Sequence, residues 1–131
     1  MRLFVDVDDT IVLYKPESEN VSGQGNRHPY GLMSDDSLYV FNESLLKFIV
    51  AFREKYPESL IIIWSGGGKR YAQRVAEQAG IGHLDLTYLD KDMGTFPLVA
   101  EDDIVVDDQE LAVAATVSPP DFFDNKDNWG L

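Results

Sequence analysis

The chain has 131 residues, enough for one hydrophobic core and too few for two, so it reads as a single domain over residues 1–131. Its 23 acidic side chains against 11 basic ones give a net charge of −12, which argues against nonspecific affinity for phosphate backbones. The absence of cysteine removes disulfides, thiolate catalysis and sulfur-ligated zinc, and the two histidines, His28 and His83, are too few for a histidine-rich metal site.

The first stretch, RLFVDVDDTIV (residues 2–12), predicts a buried strand over Leu3–Val7 that runs into Asp6, Asp8 and Asp9. Like charges that close repel one another unless a cation sits among them. Carboxylates at a strand end suit a hard cation with oxygen ligands, such as Mg²⁺. In the D-x-D-x-T spacing of Asp6, Asp8 and Thr10, one carboxylate can attack phosphorus and the second can serve as general acid and then base. The plain alternative is an acidic turn without chemistry. No basic start, long apolar centre or small-residue cleavage site marks the N-terminus as a secretory signal, so the cytoplasm is the expected location. The longest apolar runs are too short to cross a bilayer, which leaves no membrane partner.

Residues 15–37 are polar and rich in glycine, proline and serine, the chemistry of a loop. The region from about 14 to 40 is expected to form a flap over the sheet edge, with Gly23, Gly25 and Gly31 making it mobile and Arg27, His28 and Tyr30 on its rim. Asn42 is placed to cap a helix carrying Leu45, Leu46, Ile49, Val50 and Phe52 on one side and ending before Pro57. A second buried strand, Leu60–Trp64, leads into Ser65, Gly66, Gly67, Gly68 and Lys69. A hydroxyl, exposed N–H groups and a helix N-terminus make a phosphate cradle there. The next helix, Lys69 to Ala79, puts Tyr71, Val75, Ala76 and Ala79 on one face and stops at Gly80. Trp64 reads as core or rim packing, with base stacking the lesser option.

Leu84–Leu89 is a weaker strand candidate, followed by Lys91. Ile104–Val106 is a third buried strand, ending in Asp107 and Asp108 as the first ends in its own carboxylates. A short helical turn after Asp108, a strand over Val113–Val117 and an appended tail from about 119 to 131 complete the chain. The tail carries Phe122, Phe123 and Trp129 as candidate docking residues. Strands alternating with helices predict an α/β fold, a three-layer sandwich around a central parallel sheet. Ligands in such sheets bind at the carboxyl ends of the strands, where Asp6, Ser65 and Asp107 should meet.

The order D-x-D-x-T, strand plus Ser65, Lys91, then strand plus Asp107 and Asp108 resembles the haloacid dehalogenase-like superfamily of phosphohydrolases, over residues 3 to about 118. The resemblance implies a Rossmann-like fold and a Mg²⁺-dependent phosphatase that works through an aspartyl-phosphate. By the same resemblance Asp6 is the nucleophile and Asp8 the general acid/base. The Asp6 carboxylate, the Asp8 backbone carbonyl and Asp107 would hold Mg²⁺, with Asp108 assisting. Ser65 and the Gly66 N–H would bind the phosphoryl group, and Lys91, with Lys69 as its rival, would offset charge between nucleophile and phosphate. Asp8 at the second motif position favours phosphate esters over carbon–halogen substrates. The short 14–40 segment replaces the family's cap domain, which leaves an open site. A phosphorylated small molecule or nucleotide is the expected substrate, with nucleic acid the less comfortable partner for so acidic a chain. The competing expectation is a phosphate-receiving or non-catalytic binding module on the same scaffold.

Overall fold

The computed structural model describes residues 1–13, 21–27, 38–108 and 116–117. Three short apolar segments lie side by side in it because each is too hydrophobic to face water on either side. Strand β1 (Leu3–Asp6) is buried along its whole length. It is flanked in parallel by β5 (Ile61–Ser65) on one side and β7 (Ile104–Val106) on the other, with Leu3 opposite both Ile61 and Ile104. Strand β6 (Thr87–Asp90) extends the sheet beyond β5, and the two-residue β8 (Thr116–Val117) extends it beyond β7, both in parallel. The resulting order is β6-β5-β1-β7-β8. The chain builds outward from β1 to β6, then returns across the sheet to β7. The reversal falls between β1 and β7, and crevices at such switch points are where open α/β sheets bind ligands.

A smaller antiparallel sheet of β2 (Val12–Leu13), β3 (Val21–Arg27) and β4 (Leu38–Asn42) follows β1, in the order β2-β4-β3. Part of the expected loop is therefore a seven-residue strand, and its register shifts between Ser22 and Asn26. The sequence VSGQGNR carries no apolar alternation to announce it; backbone pairing with β4 decides its conformation. His28, Tyr30, Gly31, the helical turn expected after Asp108 and the tail from 119 lie outside the described residues.

Helix α1 (Glu43–Lys55) begins where expected: the Asn42 side chain accepts from the Leu45 N–H at 3.2 Å. Glu43 in its first turn and Arg53 and Lys55 in its last complement the helix dipole. The Arg53 guanidinium continues past the helix end and donates to the carbonyls of Ser59 (2.7 Å) and Leu84 (2.8 Å), tying α1 to the turn before β6. Helix α2 (Lys69–Gln78) ends just before Gly80, whose φ of +81° is one that L side chains rarely adopt. Asp85, at φ +60°, turns the chain before β6, so that strand starts three residues later than the Leu84 of the sequence reading.

Among the described residues both α-helices pack on one face of the parallel sheet. Leu45, Leu46, Phe48, Ile49 and Phe52 of α1 and Tyr71, Ala72, Val75 and Ala76 of α2 share a core with Leu3, Val5, Ile61, Ile63, Ile104 and Val106. The alternate residues Phe4, Ile62, Trp64 and Val105 point to the opposite face and meet Leu89, Phe96 and Val99 around the 3₁₀ turn Phe96–Leu98. Trp64 is fully buried there, 4.9 Å from the Phe4 ring and edge-on to Phe96 at 5.8 Å, so it is core and cannot stack on a base at the rim. No helix among the described residues is long and apolar enough to cross a membrane.

Candidate functional site

The carboxyl ends of β1, β5, β6 and β7 deliver four of the expected residues to one place. Asp6 is the last residue of β1 and is 5% exposed; Asp107 follows β7 directly and is wholly buried. Between them stands the Lys91 ammonium, 3.1 Å from Asp6 Oδ1 and 2.8 Å from Asp107 Oδ2. Lys91 follows β6, two strands from β1, and its backbone N–H donates to the Ser65 carbonyl at 2.9 Å, which anchors it across the end of β5. Lys69, the rival lysine, is exposed at the start of α2, so the geometry selects Lys91 as the cation among these carboxylates. Thr10, to which the sequence reading gave no role, donates from Oγ1 to Asp6 Oδ2 at 3.1 Å.

The turn after β1 is tight because the Val7 carbonyl accepts from the N–H groups of Thr10 (3.2 Å), Ile11 (2.9 Å) and Val12 (3.1 Å). Asp9 takes a φ of +58°, a conformation that aspartate adopts more readily than most residues. This turn lifts Asp8 off the strand line, and Asp8 Oδ1 accepts from the Tyr71 hydroxyl at 2.5 Å.

Ser65 closes β5 nearly buried, and its Oγ accepts from the Gly67 N–H at 3.0 Å. The three glycines that follow differ in purpose. A Cβ on Gly66 would meet nothing within 4 Å, so that position opens onto free space; Gly67 is pressed against the Tyr71 ring; Gly68 needs its φ of +103°. Helix α2 has no side-chain cap from Gly68. Its Lys69 N–H instead donates to Asp90 Oδ1 at 2.8 Å, which locks the residue before Lys91 onto the start of the helix. Asp90 was not singled out from sequence, although a strand ending in Asp-Lys was visible there.

Burial first, and then the Asp107 charge, push the Asp6 carboxyl up to about 8 against the opposing pull of Lys91. Burial also raises the Asp108 carboxyl. Burial pulls the Lys91 ammonium down, but the hydrogen bond to Asp107 and the charges of Asp6 and Asp107 outweigh it and hold the group above its ordinary value. Carboxylate oxygens of Asp6, Asp107 and Asp108 lie within 4.8 Å of one another and could hold a metal ion. Two buried carboxyl groups and the exposed Asp108 share one ammonium, and this all-oxygen donor set fits a hard divalent cation. Of the expected rim, the backbone of Arg27 lies at the end of β3, and His28 and Tyr30 fall outside the described residues.

Compared with models of protein families, with curated proteins and with solved structures, the chain matches none.

Proposed function

We propose that the protein is a phosphatase of the haloacid dehalogenase-like type, with a Rossmann-like parallel sheet, that hydrolyses a phosphomonoester through an aspartyl-phosphate. The observation that carries this reading is the meeting of Asp6, Lys91 and Asp107 at the carboxyl ends of neighbouring parallel strands, where the strand order reverses. Counting only the parallel strands along the chain, the order is 3-2-1-4-5, the order of one dinucleotide-fold half plus its continuation.

In this reading Asp6 attacks phosphorus, and Thr10 and Lys91 hold its two oxygens in place. Lys91 also offsets the charge that nucleophile and phosphate bring together. The Ser65 hydroxyl, its oxygen fixed by the Gly67 N–H, turns its proton toward a phosphate oxygen, and the open space beside Gly66 receives the phosphoryl group. Asp8 protonates the departing oxygen and then takes a proton from the attacking water. Asp6, Asp107 and Asp108, with the Asp8 carbonyl, would hold Mg²⁺, which supplies charge neutralisation for an anionic nucleophile approaching an anionic ester. A phosphorylated small molecule or nucleotide is the proposed substrate class, met in the cytoplasm.

The test is a panel of phosphomonoesters incubated with millimolar Mg²⁺, with and without EDTA. Release of inorganic phosphate that EDTA abolishes and Asp6→Asn eliminates is the expected result. A stable acyl-phosphate formed from a small phosphodonor, without turnover, would instead identify a phosphate-receiving module. Neither phosphate release nor acyl-phosphate would leave a binding module on this scaffold.

A further inference from the structure

The side chain that the phosphatase chemistry leaves unexplained is Tyr71. It is the third residue of α2, 2% exposed, and its ring belongs to the main core with Val75 and Ala76. Helical periodicity accounts for an apolar ring at this position, and phenylalanine would fill the same space. It does not account for the hydroxyl. That group donates to Asp8 Oδ1 at 2.5 Å, the short end of the range for a hydroxyl bonded to a carboxylate.

A second observation places this contact in the site. A Cβ on Gly67 would stand 3.0 Å from Tyr71 Cδ2 and 3.4 Å from Ser65 Oγ, so the glycine turn lies directly on the tyrosine ring. The same Gly67 donates its N–H to Ser65 Oγ at 3.0 Å. The ring is thus clamped between the core and the turn that would hold phosphate, while its hydroxyl reaches the carboxylate beyond β1. Ser65 and Asp8 come from strands far apart in sequence, and Tyr71 is the rigid piece that spans them.

We propose that Tyr71 is a positioning residue that orients the Asp8 carboxyl group toward the departing oxygen of an ester whose phosphoryl group is held by the Ser65 turn; the proposal rests on the phosphatase reading. With Oδ1 held by the phenol, the Asp8 carboxyl group is fixed in one orientation. In the first half-reaction an Asp6 oxygen bonds to phosphorus and the bond from phosphorus to the ester oxygen breaks. That oxygen leaves with the electron pair and takes the Asp8 proton. In the second, water gives a proton to the Asp8 carboxylate as its oxygen bonds to phosphorus, and the bond between phosphorus and Asp6 breaks, restoring both carboxyl groups. Tyr71 keeps its own proton throughout.

The experiment compares kcat/KM for p-nitrophenyl phosphate, whose leaving group needs little protonation, with kcat/KM for glycerol phosphate, whose alkoxide needs a proton. The proteins are wild type, Tyr71→Phe, Asp8→Asn and the double variant, each checked for folding by its melting curve. Tyr71→Phe should lose roughly ten times more on glycerol phosphate than on p-nitrophenyl phosphate, a part of the full general-acid contribution. The double variant should be no slower than Asp8→Asn alone, because the two residues act as one unit. Equal losses on the two esters, or none, would overturn the positioning role while leaving the phosphatase reading intact. Additive losses in the double variant would overturn it as well. A wild-type protein that turns over neither these esters nor any other phosphomonoester would overturn both.

Discussion

Asp6 concentrates the electrostatic problem of this molecule. It is buried, it faces the buried Asp107, and one ammonium serves both. Replacing it with asparagine keeps an acceptor for Lys91 and a polar partner for Thr10 but removes a carboxyl group that burial and Asp107 make hard to ionise. Asp6→Asn should therefore lower phosphate release by at least about a thousandfold, as expected for loss of a nucleophile. In EDTA it should melt no lower than wild type, because a site built for chemistry holds charges that stability alone would not choose. Phosphate release and thermal melting on the same preparations check both halves. A variant with a tenth of the wild-type rate, or one that unfolds well below wild type, would contradict this account. Asp6, Ser65 and Asp107 were legible because each closes or follows an apolar strand, so topology alone predicts their meeting, whereas in the sequence only the family resemblance favours Lys91 over Lys69. Tyr71 was read only as a core residue, since a helical stripe reports where the ring goes and is silent about its hydroxyl. Thr10 and Asp90 escaped a role for a related reason: their partners, Asp6 Oδ2 and the Lys69 N–H, are set by turn geometry that spacing does not encode.

Among the elements, α1 shows how the scaffold and the site share residues. Asn42 is fully buried and serves three neighbours at once. Its side-chain oxygen caps α1 through the Leu45 N–H, its Nδ2 donates to the Thr10 carbonyl at 3.1 Å, and its backbone N–H donates to the Ile11 carbonyl at 2.8 Å. Losing the cap costs about 1 kcal/mol, and leaving the buried Thr10 carbonyl without this donor costs about 1–2 more. Asn42→Ala should thus lower the melting temperature by roughly 10 °C. Loosening Thr10, which holds Asp6, should also reduce turnover in whatever protein remains folded. Asn42→Asp keeps the cap acceptor and loses the donor, so it separates the two contributions: a melting point near that of Asn42→Ala would assign the loss to the Thr10 contact. Both helices were legible almost to the residue, because caps, Pro57 and Gly80 punctuate them in sequence. The small sheet was not: β2 has two residues, and β3 is a polar, glycine-bearing strand held by backbone pairing that composition does not reveal.

At the scale of the molecule, opposite ends of the parallel sheet are held by opposite means. The carboxyl end gathers negative charge that a divalent cation would relieve. Selective binding to the folded state should raise the melting temperature in Mg²⁺, by about 2.7 kcal/mol of stability at a hundredfold excess over the dissociation constant. Differential scanning fluorimetry in Mg²⁺ and in EDTA reads this directly, and no shift at millimolar Mg²⁺ would count against a site built from Asp6, Asp107 and Asp108.

The amino end of the sheet is closed by an ion pair that is complete without any ligand. The Arg2 guanidinium donates to Asp103 Oδ2 at 2.7 Å, the Arg2 and Ala100 N–H groups donate to the same carboxylate at 2.9 and 2.8 Å, and the Ile104 N–H returns to the Arg2 carbonyl at 2.9 Å. The contact fastens the starts of β1 and β7, the two strands whose other ends carry Asp6 and Asp107. Burial pushes the Asp103 carboxyl up, but the bonds from Arg2 and from the two backbone N–H groups outweigh it and hold the group below the usual carboxylate range. A carboxyl that binds its proton more weakly when folded stabilises the protein fully above its unfolded value, about 3.9. That stabilisation drains away as pH falls through the lower folded value. Arg2→Ala should therefore melt below wild type by a constant margin from pH 7 down to about pH 5, and the margin should close as the pH is lowered further. Melting curves of both proteins at half-unit steps from pH 7 to pH 2.5 make the comparison. Arg2 also lies 5.4 Å from the centroid of the Phe4 ring, a contact indifferent to Asp103 protonation. A margin that stays constant to the lowest pH would assign the role of Arg2 to that ring contact and to the bond its guanidinium donates to the Leu98 carbonyl, and the ion pair would no longer explain how the sheet is closed.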